Sequence, residues 1–220
     1  MLDQNNSTLV NFDNWTLRIR ESSDPNCRLL LMIHGLTGDE NSMWVFGRNM
    51  PSRYWLMAPR APHAVESGGY SWRPAFNSAD FGRPTLDQLQ IGAEGLIRLV
   101  DDYSASAGIN ASTFDVVGFS QGGAMSNVLA FLYPQRVRKT GILAGFVPRG
   151  LEDLAPTLPL KDKPFFVAHG TRDDMVRIDR ARESISILEE AGANVTYCED
   201  DVGHKVSATC LRALREFFTD

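Results

Sequence analysis

Ser120 stands in the run DVVGFSQGGAMS, with Gly118 two positions before it and Gly122 two positions after. A serine hydroxyl attacks a carbonyl only if its oxygen projects out of the fold and a nearby backbone N–H receives the negative charge that develops. A sharp strand-to-helix turn meets both needs, and it leaves no room for side chains at the two flanking positions, which therefore need glycine. The apolar FDVV before Ser120 and the helical AMSNVLAFL after it supply that context. A helix starting near Gln121 would also turn its positive dipole end toward the developing charge. The competing use of such a serine is to cap the helix that follows. A phosphate-binding loop is excluded, because no Lys-Ser/Thr pair accompanies the glycines.

A serine nucleophile in this setting needs an acid and then a histidine later in the chain. FFVAHGTRDDMV ends an apolar run and offers Asp173 and Asp174, of which only one can face the histidine, since neighbouring residues point in different directions. EDDVGHKVSA then provides His204, the only histidine after the acid. His34 and His169 each precede a glycine at the end of an apolar run, which suits hydrogen bonding to loop backbone. The oxyanion would be held by two backbone N–H groups, those of Gln121 and of Leu36 in HGLTGDE.

These residues must be carried by alternating strands and helices. RLLLMIHG, WLMAP, FDVVGFS, KTGILAGF, PFFVAHG and NVTYCE are short, nearly continuous apolar runs of the kind buried on both faces. Between and after them lie TLDQLQIGAEGLIRLVDDYSASAG, GGAMSNVLAFLY, VRIDRARESISILEEAG and KVSATCLRALREFF, which have helical spacing. Gly108 and Gly192 fall where left-handed caps are expected. STLVNFDNWTLRIRE reads as an edge hairpin. The alternation predicts an α/β fold with a mostly parallel sheet flanked by helices, whose ligands bind at the carboxyl ends of the strands. ESGGYSWRPAFNSADFGRPT is a long irregular stretch, and such loops line pockets. Trp72 and Phe76 in it, with Phe146 and Val147 after a later strand, either form an apolar acyl-binding wall or pack the loop onto the core.

The remaining composition narrows the class. The 220 residues carry a net charge of −5, with no basic run to neutralise a phosphate backbone, so nucleic acid is not an expected partner. No linker or repeat divides the chain, and residues 1–220 are expected to form a single domain. MLDQNNSTLV lacks the basic start and apolar core of a signal peptide, and no apolar stretch is long enough to span a bilayer; a cytoplasmic protein is expected. Cys27, Cys198 and Cys210 form no C-x-x-C pair and read as reduced, structural residues, while the four histidines show no zinc-ligand spacing. A sheet edge and exposed apolar residues would support a homodimer.

HGLTGDE, APRAPH, GGYSW, GFSQGGAMS and HGTRDDMV together resemble the carboxylesterase and acyl-protein thioesterase (phospholipase/carboxylesterase) family of α/β-hydrolases, from about Leu29 to the C-terminus. The resemblance implies Asp173 rather than Asp174 as the acid, and Leu36 and Gln121 as the oxyanion donors. It also implies no cofactor, no metal and no large helical cap. The function it leads one to expect is that of a serine carboxylesterase acting on small-molecule esters with small or medium acyl chains through an acyl-enzyme. Two alternatives stand beside it: an acyl-protein thioesterase or lysophospholipase acting on long acyl chains, and a non-catalytic binding protein that keeps the fold.

Overall fold

The computed structural model describes residues 7–74 and 83–219; Phe76 lies outside the described residues. An eight-stranded sheet runs through the molecule in the order β1-β2-β4-β3-β7-β8-β9-β10. The edge hairpin is β1 (Thr8–Phe12) and β2 (Trp15–Arg20), antiparallel in register Val10 to Leu17. β2 pairs antiparallel with β4 (Tyr54–Pro59). From β4 onward every pairing is parallel, through β3 (Arg28–Ile33), β7 (Phe114–Phe119), β8 (Val137–Leu143), β9 (Pro164–Gly170) and β10 (Asn194–Asp200). β3, β4 and β7 are buried along almost their whole length, as continuous apolar runs require when helices cover both faces.

The helices are α1 (Trp44–Gly47), α2 (Leu86–Ala107), α3 (Gln121–Leu132), α4 (Ile178–Glu190) and α5 (Ala208–Thr219). α2 opens with a capping box, in which the Thr85 N–H donates to the Gln88 side chain, and closes on Gly108 at φ 68°. One core cluster joins α2, α3 and α4 to the sheet, and a second joins α1 and α5 to its other face. α3 is buried along eleven of its twelve residues, so the helix after Ser120 is wedged into the molecule.

Two features depart from the sequence reading. Cys198 on β10 and Cys210 on α5 form a disulfide, so only Cys27 is a free thiol; their pairing depends on the packing of a strand against a helix, which spacing in the chain does not reveal. The stretch expected to be irregular begins with structure. Tyr70–Ser71 (β6) pairs antiparallel with His63–Ala64 (β5), a two-stranded ribbon too short to show periodicity. No helix among the described residues is long and apolar enough to cross a membrane.

Candidate active site

Ser120 sits between the end of β7 and the start of α3 with φ 53° and ψ −115°, a conformation that strains any residue with a side chain. Its N–H donates to the Leu143 carbonyl (2.8 Å) and its carbonyl accepts from the Ala124 N–H (3.1 Å), so the turn is fixed from both sides. The hydroxyl makes no capping bond to α3, which removes the capping account of this serine. A methyl group on Gly118 would lie 2.1 Å from the Gly122 carbonyl oxygen, and one on Gly122 would lie 2.0 Å from the Ile33 carbonyl oxygen. The glycine spacing is thus a packing requirement: the first turn of α3 presses onto the end of β3.

The end of β9 presents Asp173, which is 4% exposed, while Asp174 beside it faces solvent. Oδ1 of Asp173 accepts the N–H groups of Met175 (2.9 Å) and Val176 (2.8 Å). That leaves Oδ2 to accept from Nδ1 of His204 at 2.7 Å. The loop bearing His204 is bound to the loop bearing Asp173, since the N–H groups of Thr171 and Arg172 donate to the carbonyls of Asp200 (2.9 Å) and Val202 (3.0 Å). A proton on Nδ1 leaves Nε2 of His204 as a free acceptor. The His204 ring lies 5.0 Å, centroid to centroid, from the ring of Phe119, the residue before Ser120. The bonds of the described residues include the Asp173–His204 contact and no direct one between Ser120 and His204.

The two histidines that end apolar runs, His34 and His169, are pinned to backbone. His34 is buried, with Nδ1 donating to the Gly35 carbonyl (2.7 Å) and Nε2 accepting the Ala61 N–H (3.0 Å). His169 is equally buried; its Nε2 donates to the Val176 carbonyl (2.7 Å) and lies 3.5 Å from Oδ2 of Asp173. Burial pushes both imidazoles below their ordinary pKa, which favours the neutral rings that these bonds describe. Farther along the loop after β3, Glu40 is held by the Arg60 guanidinium at 2.7 and 2.9 Å, whose hydrogen bonds keep the carboxyl below its usual range.

Leu36 is partly exposed on this loop, and no backbone carbonyl among the described residues accepts its N–H. The N–H of Gln121, as the first residue of α3, has no partner within the helix. A methyl group on Gly35 would stand 3.3 Å from Cβ of Ser120, so the two turns are in contact. Phe146 and Val147 are buried, with the Phe146 carbonyl accepting from Asn127 and the Val147 N–H donating to Ser184. Trp72 is 1% exposed; the hydrogen bonds that hold it were invisible in the sequence because its partners lie 38 and 49 residues away. It contributes to a cavity of about 580 Å³ whose other walls include Trp15, Arg73, Gln88 and Ile91. Neither Ser120 nor His204 lines that cavity. No group of three or more His, Cys, Asp or Glu residues among those described is arranged to hold a metal.

A family model described as Phospholipase/Carboxylesterase matches residues 14–220. The chain is 25% identical to acyl-protein thioesterase 1 of Debaryomyces hansenii, over 93% of this chain and 95% of that one. It is 27% identical to the carboxylesterase SOBER1 of Arabidopsis thaliana, over 75% of this chain and 66% of that protein. Among solved structures, a carboxylesterase from Mesorhizobium loti superposes with a TM-score of 0.79 at 18% identity, covering 97% of this chain and 99% of that one, and shares its fold.

Proposed function

Because the chain belongs to the phospholipase/carboxylesterase family, whose members are α/β-hydrolases, we propose that it is a serine carboxylesterase in which Ser120, His204 and Asp173 cleave small-molecule esters. The observation that carries this reading is a strained Ser120, whose hydroxyl does not cap α3, next in the chain to the Phe119 ring that packs on His204, a histidine whose Nδ1 is bonded to a buried carboxylate. His204 Nε2 takes the hydroxyl proton as Oγ attacks the ester carbonyl, and Asp173 stabilises the imidazolium that forms. The amides of Leu36 and Gln121 hold the oxyanion of the tetrahedral intermediate. When that intermediate collapses, the C–O bond to the alcohol breaks and His204 returns the proton to the leaving oxygen. Water, deprotonated by the same nitrogen, then hydrolyses the acyl-enzyme.

Small or medium acyl chains are the expected substrates. A long-chain thioester or lysophospholipid is the second reading, favoured by the near full-length similarity to a protein named as an acyl-protein thioesterase. The two are separated by hydrolysis of p-nitrophenyl esters from acetyl to palmitoyl, with Ser120→Ala as the blank. A maximum at short chains supports the carboxylesterase and a maximum at long chains the alternative. Loss of all serine-dependent turnover, together with failure of a fluorophosphonate to label Ser120, would overturn both.

A further inference from the structure

In that reading the oxyanion is held by the backbone of Gln121, yet the side chain of this residue is buried and each of its polar atoms makes a hydrogen bond. Its Oε1 accepts the Trp72 N–H at 3.0 Å and its Nε2 donates to Oγ of Ser71 at 3.1 Å. The Trp72 indole then reaches the other side of the site, where Nε1 donates to the His34 carbonyl at 2.8 Å and the ring packs 5.2 Å from the His34 imidazole. The same short segment is stitched to the loop of Leu36. The Thr37 N–H donates to the Tyr70 carbonyl and the Tyr70 N–H to the Gly38 carbonyl, both at 3.0 Å. The approach is so close that a methyl group on Gly69 would fall 1.9 Å from the Thr37 carbonyl oxygen.

Residues 69–72 therefore touch both turns from which the oxyanion amides project, and touch each by hydrogen bonds. We propose that the Gln121 carboxamide and the Trp72 indole are positioning residues, a brace across which the Leu36 and Gln121 amides are held at the separation the oxyanion requires. The inference rests on the serine carboxylesterase reading and assigns to Trp72 a role other than a wall for the acyl chain. Without the brace, α3 and the loop after β3 remain packed through Gly122 and joined through the β3–β7 pairing at Ile33 and Gly118, but the side-chain bonds that tie residues 71–72 to Gln121 and to the His34 carbonyl are lost. A displacement of about 1 Å at such a site costs on the order of 100-fold in rate.

The test uses Gln121→Met, which keeps the volume and removes both bonds, and Trp72→Phe, which keeps an aromatic ring against His34 and removes the indole donor. Rates on the best p-nitrophenyl ester are expressed per active site, counted by fluorophosphonate titration. The expected result is a fall in kcat of about 10-fold to 100-fold with KM within about threefold, because the interaction strengthens only in the transition state. Affinity for a trifluoromethyl ketone, whose adduct with Ser120 places an oxyanion between the two amides, should fall in parallel. Where either variant fails to fold, Ser71→Ala, which deletes one partner of the carboxamide, should lower kcat by about threefold to tenfold. A kcat per titrated site equal to the wild type, with only the melting temperature reduced, would show that these side chains merely pack and would overturn the proposal. A wild-type protein with no Ser120-dependent turnover and no label would instead remove the carboxylesterase reading, and the brace with it.

Discussion

Asp173 gives one carboxylate oxygen to the backbone and the other to His204: Oδ1 accepts two N–H groups while Oδ2 lies 2.7 Å from Nδ1. This division decides what an asparagine would do there. In Asp173→Asn the two N–H donors require the amide oxygen at the Oδ1 position, so the NH₂ group faces His204 and drives the ring proton to Nε2. A ring protonated at Nε2 cannot take a proton from Ser120. Turnover should fall by about 10⁴-fold with folding retained. A variant whose kcat stays within tenfold of wild type would show that Asp173 does not orient the base.

Ser120 carries backbone strain that glycine would not. Ser120→Ala should lower kcat by on the order of 10⁶-fold. Ser120→Gly should be equally inactive but more stable, by about 1 kcal/mol if the strain at φ 53° is relieved. For a chain of this size that corresponds to a rise in Tm of about 2–4 °C. Calorimetry of the two variants side by side checks the point, and a Ser120→Gly protein that melts no higher than Ser120→Ala would argue against stored strain.

Acid should destabilise the fold through its two buried histidines. His34 and His169 have pKa values below the ordinary 6.5 because burial disfavours the charged ring. The unfolded chain therefore binds more protons than the native one as pH drops below about 6.5, and stability is lost in that direction. Above that pH the contribution is fully present. At His34 the reason is visible in the bonds: a second ring proton would point at the Ala61 N–H, a donor facing a donor. Urea midpoints should decline from pH 7.5 to pH 5, and His34→Gln should flatten the slope. An unchanged slope would mean that these rings are not the groups titrating.

A structural carboxylate at the opposite end of β7 makes a different prediction. Asp115 has no solvent exposure and is bound by the Arg138 guanidinium, the Tyr54 hydroxyl and the Lys139 N–H. Asp115→Ala leaves these donors without their shared acceptor and should cost about 3 kcal/mol or more in chemical denaturation. A loss under 1 kcal/mol would show that water replaces the carboxylate.

The order of strands and helices was readable because it depends on local periodicity, as in FDVVGFS, where apolar residues and glycine fix both the strand and its turn. The choice between Asp173 and Asp174 was not readable from the residues themselves, since it turns on which side chain the β9 loop buries; the family resemblance favoured Asp173, the aspartate found beside His204. Trp72 looked like a pocket residue because aromatic side chains in irregular stretches serve either use. Its actual partners, the His34 carbonyl and the Gln121 side chain, are brought near by tertiary packing alone. The Cys198–Cys210 link escaped notice for the same reason, being set by how α5 lies against β10.

That link closes a loop of chain with His204 inside it. A peptide bond cut anywhere between residues 199 and 209 would leave the fragments covalently joined, with α5 still attached to β10. Limited proteolysis there would yield a molecule that migrates as one species on a denaturing gel and separates into two only after a thiol reductant is added.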